Sequence, residues 1–301
     1  MALSGGPDSL ALAAATAFEA GRAGIRAGAV VVDHGLQSGS ADVAARAADQ
    51  ARSLGLDPVV VRTVTVDAIG GPEAAARAAR YAALDEVASE TGAVIVLLGH
   101  TLDDQAETVL LGLARGSGPT SLHGMSPSST SGNGVRYARP LLGIRRSSTR
   151  QFCEDSGLDP WVDPQNVDPS FARVRVRETA LPLLERELGP GIAEALARTA
   201  EQLREDSDAL DHFAEELTEE LAELAESGIS LPVHALASNP PALRQRLIRL
   251  AVEGEFHVSL SRAQTLEVSR LITHWHGQKA LDLPGVRVER RGSLLIFTAN
   301  G

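Results

Sequence analysis

Two stretches of this chain carry residue types and spacings that could do chemistry. The first is Ser4-Gly5-Gly6-Pro7-Asp8-Ser9, running into Leu10-Ala11-Leu12-Ala13-Ala14-Ala15. Glycines allow positive φ and close backbone approach, and Pro7 suits the first turn of a helix. A glycine loop entering a helix aims free N–H groups and the positive dipole end at one point, where a phosphate or pyrophosphate fits. Ser4 and Ser9 add hydroxyl donors, and Asp8 offers a hard oxygen to Mg2+. By itself this loop reads equally well as an ordinary Gly-Pro turn. It is not GxxxxGK[ST], because the chain's only lysine is Lys279, and no GxGxxG occurs in it.

The second stretch is Gly99-His100-Thr101-Leu102-Asp103-Asp104-Gln105-Ala106-Glu107-Thr108. Thr101 fits a helix N-cap, and acids in the first turn complement the dipole. Capping accounts for Asp103 and Asp104 but leaves His100 and Glu107 unexplained. Asp103, Asp104 and Glu107 fall three and four residues apart, so three carboxylates crowd one helix end. That crowding calls for a cation, either Mg2+ or an ammonium.

The elements that must position these stretches follow from hydrophobic pattern. Ala27–Val32, Pro58–Val64 and Ala93–Leu98 read as buried parallel strands. They alternate with helices over Pro7–Gly21, Ala41–Leu54 and Pro72–Thr91. This order predicts an α/β fold, a parallel sheet with helices on both faces. The first strand ends in Asp33-His34-Gly35-Leu36, at the end where such folds place ligands. A loop of the first kind should follow a buried strand, yet only Met1-Ala2-Leu3 precede it, so its strand reads as truncated. Residues 117–135, rich in Gly, Ser, Thr and Pro, read as a mobile surface loop. From about residue 190 the character changes. Ala193–Glu226 reads as a long acidic helix or helix pair with an apolar stripe of Leu203, Leu210, Phe213, Leu217, Leu221 and Leu224. Helices over Ala242–Glu253 and Arg262–Thr273 precede a small β element at Ala280–Leu283, Val286–Arg290 and Leu294–Phe297. The division expected is 1–189 and 190–301.

Composition narrows the function classes. No apolar run is long enough for a transmembrane helix, so no membrane partner is expected. The one cysteine, Cys153, excludes an internal disulfide and any CxxC chemistry, and fits a cytoplasmic setting. Its residue type and helical context suggest a small packing residue. The net charge of −11 is unevenly placed. Residues 201–226 carry −10, whereas residues 136–186 hold nine arginines against seven acids, a candidate phosphate-contacting surface. Arg77 and Arg80, three apart on one predicted helix, share a face.

As a whole, Ser4–Ser9 resembles the pyrophosphate (PP) loop of the N-type ATP pyrophosphatases. Together with Val32-Asp33-His34-Gly35-Leu36, Glu73…Ala76-Arg77…Arg80-Tyr81, Gly99-His100…Asp103-Asp104…Glu107-Thr108, Arg115-Gly116, Arg139-Pro140-Leu141-Leu142 and Asn166…Asp168…Phe171…Arg173…Arg177, the chain resembles the tRNA(Ile)-lysidine synthetases. The resemblance implies a PP-loop domain of the adenine-nucleotide α-hydrolase type, then a mainly helical tRNA-binding domain ending in a small β element. It also implies a ligase. ATP would adenylate C2 of the wobble cytidine in the CAU-anticodon isoleucine tRNA, and free L-lysine would displace AMP to give lysidine. Carried over by position, Ser4, Gly5, Gly6, Pro7, Asp8 and Ser9 would hold the phosphates of ATP, with Asp33 and His34 beside the nucleotide. Asp8 and Asp103 would serve Mg2+, and His100 would contact the reacting phosphate or cytidine. Asp104 and Glu107 would take the lysine ammonium. Arg77, Arg80, Arg115, Arg173 and Arg177 would face phosphate or tRNA. A homodimer is compatible with this reading.

Two departures stand beside the short first strand. Val174 occupies a position where the family pattern has asparagine, and only one C-terminal domain is visible, as in shorter family members. The rival readings are a 2-thiolating PP-loop tRNA enzyme, which would need a cysteine pair, and a non-catalytic ATP-binding module.

Overall fold

The computed structural model describes residues 1–35, 39–65, 72–116, 118–225 and 228–300; Leu36, Ser117 and Glu226 of the motifs above lie outside them. The chain divides into two compact units, Met1–Leu203 and Arg204–Gly301. Helix α9, named below, contributes residues to both.

The first unit is built on a twisted α/β sheet. Strand β1 (Ala29–Asp33) pairs in parallel with β2 (Val59–Thr63), Ala29 opposite Val59 and Asp33 opposite Thr63. Residues 1–3 extend the sheet on the other side of β1. Leu3 N–H donates to Val30 O at 2.8 Å, Val30 N–H to Met1 O at 2.9 Å, and Ala2 N–H to Leu97 O at 2.9 Å. Short as it is, this segment is hydrogen-bonded on both edges, and Leu3 is buried. Strand β3 (Val96–Leu97) continues the sheet, followed by β5 (Arg136–Ala138) in parallel and β4 (Ser128–Thr130) antiparallel at the edge.

Alternation along β1 sorts its side chains onto two faces. Ala29 and Val31 join Leu10, Ala11 and Ala13 of α1 (Pro7–Ala23), Ala44, Ala47, Ala48 and Ala51 of α2 (Ser40–Ser53), and Cys153 of α6 (Arg146–Asp155). Val30 and Val32 pack instead with Leu84 and Ala88 of α3 (Pro72–Thr91), Val96, Leu98 and Tyr137. Alanine on α1 and α2 lets these helices lie close to the sheet, which brings the helix-entry loop near the strand ends. Helix α4 (Leu102–Ala114) follows β3. It packs Leu102 and Ala106 on Leu181 of α8 (Leu181–Leu188) and on Ala193 of α9 (Ile192–Leu221).

The stretch expected to be a mobile loop is partly ordered secondary structure. It contains α5 (Pro119–Leu122) and β4, and Gln105 pins it by donating to Met125 O at 3.0 Å and accepting from Met125 N–H at 2.7 Å. Small polar residues suggested a loop, but pairing with β5 supplies an order that composition does not encode.

In the second unit, α10 (Val233–Ser238), α11 (Pro241–Phe256) and α12 (Arg262–Thr273) pack on an antiparallel sheet of order β6-β7-β10-β9-β8. Its strands are β6 (Glu223–Ala225), β7 (Gly228–Pro232), β8 (Leu281–Leu283), β9 (Val286–Arg291) and β10 (Leu294–Ala299). The core gathers Leu231, Leu236, Leu247, Ile248, Val252, Val268, Leu271, Leu295 and Phe297. The β element is therefore larger than the three terminal strands expected. The acidic helix stops at Leu221 rather than near 226, because the following residues pair with β7. On α9 the inward position belongs to Ala214, fully buried, while its neighbour Phe213 is 54% exposed and leaves the predicted stripe.

Candidate functional site

A cavity of about 830 Å3 opens where the N-terminal segment, β1 and β3 end. This is the carboxyl edge at which parallel α/β sheets place ligands. Ser4, Gly6, Pro7, Asp8 and Ser9 line it from the loop, Asp33 and His34 from the end of β1, and Gly99, His100 and Asp104 from the segment after β3.

The loop is held in shape from within. Ser9 Oγ accepts from Ser4 N–H at 3.1 Å, lies 3.0 Å from Ser4 Oγ, and donates to Gly6 O at 3.0 Å. Gly5 sits at φ +82°, where only glycine is unstrained, and its carbonyl accepts from Trp161 N–H at 2.9 Å. Gly5 does not line the cavity but shapes the turn that does. Gly99 serves by its smallness: a Cβ there would lie 3.1 Å from Ser9 Cα and 3.2 Å from the Asp8 carbonyl. The chain after β3 thus presses directly on the loop backbone.

The acidic end of α4 both caps the helix and faces the cavity. Thr101 Oγ1 accepts from Asp104 N–H. In return Asp104 Oδ2 accepts from Thr101 N–H at 2.8 Å and from its hydroxyl at 2.9 Å, a reciprocal cap. That leaves Asp104 Oδ1, which accepts from Arg146 Nη2 at 2.7 Å. Glu107 is fully buried and takes Arg146 Nη1 at 3.0 Å and Arg177 at 2.7 and 3.0 Å. Asp103 does not line the cavity. Its oxygens accept from Arg146 N–H at 2.7 Å and Arg145 Nη1 at 3.2 Å, so it caps the start of α6 from another element. Asp8 accepts from Thr149 Oγ1 and from Arg146 Nε at 3.4 Å. Of the five acids given site roles in the sequence, Asp8, Asp33 and Asp104 line the cavity, and Asp103 and Glu107 do not.

Protonation follows from these contacts. Burial works to raise the Asp104 carboxyl, but the Arg146 guanidinium and the Thr101 hydrogen bonds outweigh it and hold the group below the usual carboxylate range. Burial raises Asp8, only partly opposed by Thr149 and Arg146. His100 is pushed down to about 4, chiefly by burial, with Arg139, Arg80 and Arg77 adding to the effect against Asp104. It is neutral at pH 7. His34 is likewise lowered, by burial and then by Arg80. Among the described residues the Nδ1 atoms of His34 and His100 are buried without a hydrogen-bond partner, so both rings have polar capacity to offer.

The basic residues divide in the same way. Arg80 and Arg177 line the cavity. Arg77 lies with Cζ 4.9 Å over the Tyr81 ring, and Arg173 donates to Thr108 Oγ1 at 3.2 Å. Arg115, at the end of α4, is exposed and away from the cavity lining. Arg177 is carried by a widened π-helical turn, Val176–Ala180, of a kind frequent at functional sites. Val174 is 7% exposed in the preceding turn, α7 (Ala172–Arg175), so an apolar side chain suits that position. The sequence reading missed Arg146, Thr149 and Trp161. The arginine density of residues 136–186 was the available signal, but nothing in it singled out one arginine.

As for metal, no group of three or more His, Cys, Asp or Glu side chains among the described residues is placed to hold an ion. Asp8, at the cavity wall, fits the sparse protein ligation usual for Mg2+ on a nucleotide, where phosphates and water supply the other ligands. Asp103, taken up by α6, does not fit that role.

Comparison with known proteins agrees with this architecture. Residues 1–184 match the model of a PP-loop domain and residues 231–294 that of a TilS substrate binding domain. The chain is 65% identical over 296 residues to the tRNA(Ile)-lysidine synthase of Leifsonia xyli, covering 98% of this chain and 88% of that one. It is 52% identical over 305 residues to that of Streptomyces coelicolor (98% and 84%) and 51% over 293 residues to that of Thermobifida fusca (97% and 88%). Among solved structures, the U34-tRNA thiolase NcsA of Methanococcus maripaludis shares the fold at 23% identity and a TM-score of 0.56, over 68% of this chain and 70% of that one. With its PP-loop domain, its second unit and relatives at 51–65% identity matched over 97–98% of this chain and 84–88% of theirs, the chain belongs to the tRNA(Ile)-lysidine synthase family.

Proposed function

We propose that this chain is an ATP-dependent ligase that joins free L-lysine to C2 of the wobble cytidine in the CAU-anticodon isoleucine tRNA, forming lysidine. The observation that carries the reading is the meeting of the phosphate loop, with Asp8, and the acidic helix end, with Asp104, at one cavity. About 830 Å3 lies within the usual range of about 300–1,000 Å3 for small-molecule sites.

In the first step the backbone of residues 4–9, the Ser4 and Ser9 hydroxyls and the start of α1 hold the phosphates of ATP. Asp33 and His34 flank the nucleotide. Mg2+, held by Asp8, would neutralise phosphate charge there. The cytidine oxygen attacks the α-phosphate, and pyrophosphate leaves. In the second step Asp104, ionised at neutral pH, receives the lysine ammonium, while Glu107 behind it holds Arg146 and Arg177 in place. The ammonium passes its proton to water, the amine attacks C2, and the C2–O bond to AMP breaks, so that AMP leaves. His100, neutral, offers a hydrogen bond to base or phosphate without adding charge. Arg80 and Arg177 at the cavity, with Arg77, Arg115 and Arg173 farther out, are assigned to phosphate and RNA backbone, and residues 190–301 to binding the tRNA body. Thiolation is disfavoured, because the single Cys153 is buried against the loop, with Sγ 3.4 Å from Pro7 O.

The test is AMP release from ATP with this tRNA, with and without lysine. Lysine-dependent release is expected, and Asp8→Ala should abolish the pyrophosphate release that precedes it. ATP binding without either release would leave a nucleotide-binding module instead.

A further inference from the structure

Arg146 is given no role by the loop or by the acidic motif, yet it touches both. Its three guanidinium nitrogens each meet a different carboxylate: Nε with Asp8 at 3.4 Å, Nη1 with Glu107 at 3.0 Å and Nη2 with Asp104 at 2.7 Å. The side chain is only 10% exposed. Its own backbone N–H is held by Asp103 at 2.7 Å, and its carbonyl accepts from Thr149 at 2.8 Å. One planar cation thus spans the phosphate loop and two turns of α4. An ammonium could not take its place in the same way, because its three N–H groups radiate from one nitrogen, whereas these acceptors are met by three separate nitrogens of a rigid planar fork. The acceptor side is equally constrained. Asp104 Oδ2 is saturated by Thr101, so an ammonium approaching Asp104 must use Oδ1, the oxygen that Arg146 already holds.

We propose that Arg146 is the positioning residue of the lysine-transfer step: it locks the acid that receives the amine to the loop that holds the nucleotide, and so sets where the amine sits relative to the reacting carbon. It is not itself a lysine-binding group. Rather, it shares Asp104 Oδ1 with the incoming amine. This rests on the lysidine-forming reading above.

The experiment compares Arg146→Lys and Arg146→Gln with the unaltered chain. Pyrophosphate release without lysine is measured first, then kcat and KM for lysine in AMP release, with ATP binding and thermal melting as checks on folding. Misplacing a reacting group by about 1 Å costs about 10²-fold in rate. Transfer kcat is therefore expected to fall about 10²-fold in Arg146→Gln and by less in Arg146→Lys, which keeps the charge but loses the fork. Pyrophosphate release should fall much less, since Thr149 still holds Asp8. The KM for lysine should hold or fall, because a competing donor has left Asp104. Equal losses in both steps would make Arg146 a scaffold residue and overturn the proposal. A raised lysine KM with kcat kept would make it a binding group and also overturn it. If Arg146→Gln does not fold, the same comparison is decided on Arg146→Lys. An unaltered chain without lysine-dependent AMP release would instead reject the functional reading itself.

Discussion

Asp104 gives one oxygen to the helix cap and the other to Arg146 at the cavity, which sets what a substitution there will do. Asn keeps an oxygen for Thr101 and hence the helix cap, but removes the charge that faces Arg146 and the cavity. A hydrogen bond to a charged group contributes about 1.5–3 kcal/mol. Asp104→Asn is therefore expected to raise the KM for lysine by about one to two orders of magnitude while ATP still binds, measured by steady-state AMP release and nucleotide titration. An unchanged lysine KM would remove Asp104 from that role. His100 gives a prediction of another kind. Its pKa is depressed from 6.5 to about 4, so between those values the unfolded chain binds the proton more readily than the folded one. Stability from this group is present above about pH 6.5 and is lost as pH falls towards 4. His100→Gln should flatten the decline of the denaturation midpoint over that window, leaving the contribution of the carboxylates. A slope identical to that of the unaltered chain would show that His100 is not buried as described.

At the level of elements, the site depends on how closely the segment after β3 approaches the phosphate loop. Gly99→Ala places a methyl 3.1–3.2 Å from the backbone of Asp8 and Ser9, and backbone cannot give way as a flexible side chain can. Overpacking of this kind costs about 1–3 kcal/mol. The variant is expected to lower the melting temperature and weaken ATP binding together, read by thermal melts with and without nucleotide. A melt shift with ATP affinity intact would mean that the loop tolerates displacement. Helix α6 is the other determining element. It packs Cys153 beneath α1 and presents Arg146 and Thr149 from its first turn, with Asp103 capping that turn from α4. The three acids of α4 therefore serve different ends: one braces α6, one holds arginines in the interior, and one faces the cavity.

For the whole molecule, a net charge of −11 opposes an RNA partner, and the opposition is confined to part of the chain. The acids concentrate on α9 and just beyond it, whereas the arginines gather between residues 136 and 186. Association with tRNA must then come from local phosphate contacts and should weaken steeply with salt. Replacing exposed Arg115 with Ala is expected to weaken tRNA binding and to reduce the slope of log K against log salt by about 1. An unchanged slope would take Arg115 out of the RNA contact. No helix among the described residues is long and apolar enough to cross a membrane.

The elements of the first unit were legible in the sequence because local rules dominate them. The apolar run of β1, the Gly-Pro entry to α1, the Thr101 cap and the separate motifs are each written within a few residues. Strand β7 is not legible, since its partner β10 lies more than sixty residues away, and β6 is a strand only through its pairing with β7. Strand β4 reads as loop for a different reason: it is a short, exposed Ser-Ser-Thr segment, although its partner β5 is near in sequence. In the site, the sequence by itself determined that a glycine loop enters a helix and that three carboxylates crowd one helix end, a crowding that calls for a cation. Only the tertiary structure decided which cation it has. Arg146 and Arg177 reach Glu107 across 39 and 70 residues of sequence, and no local pattern ranks nine nearby arginines by where they will point. Residue type and spacing specify the chemistry on offer, whereas the packing of α6 and of the π-helical turn against α4 decides which oxygen of which acid is left to meet a substrate.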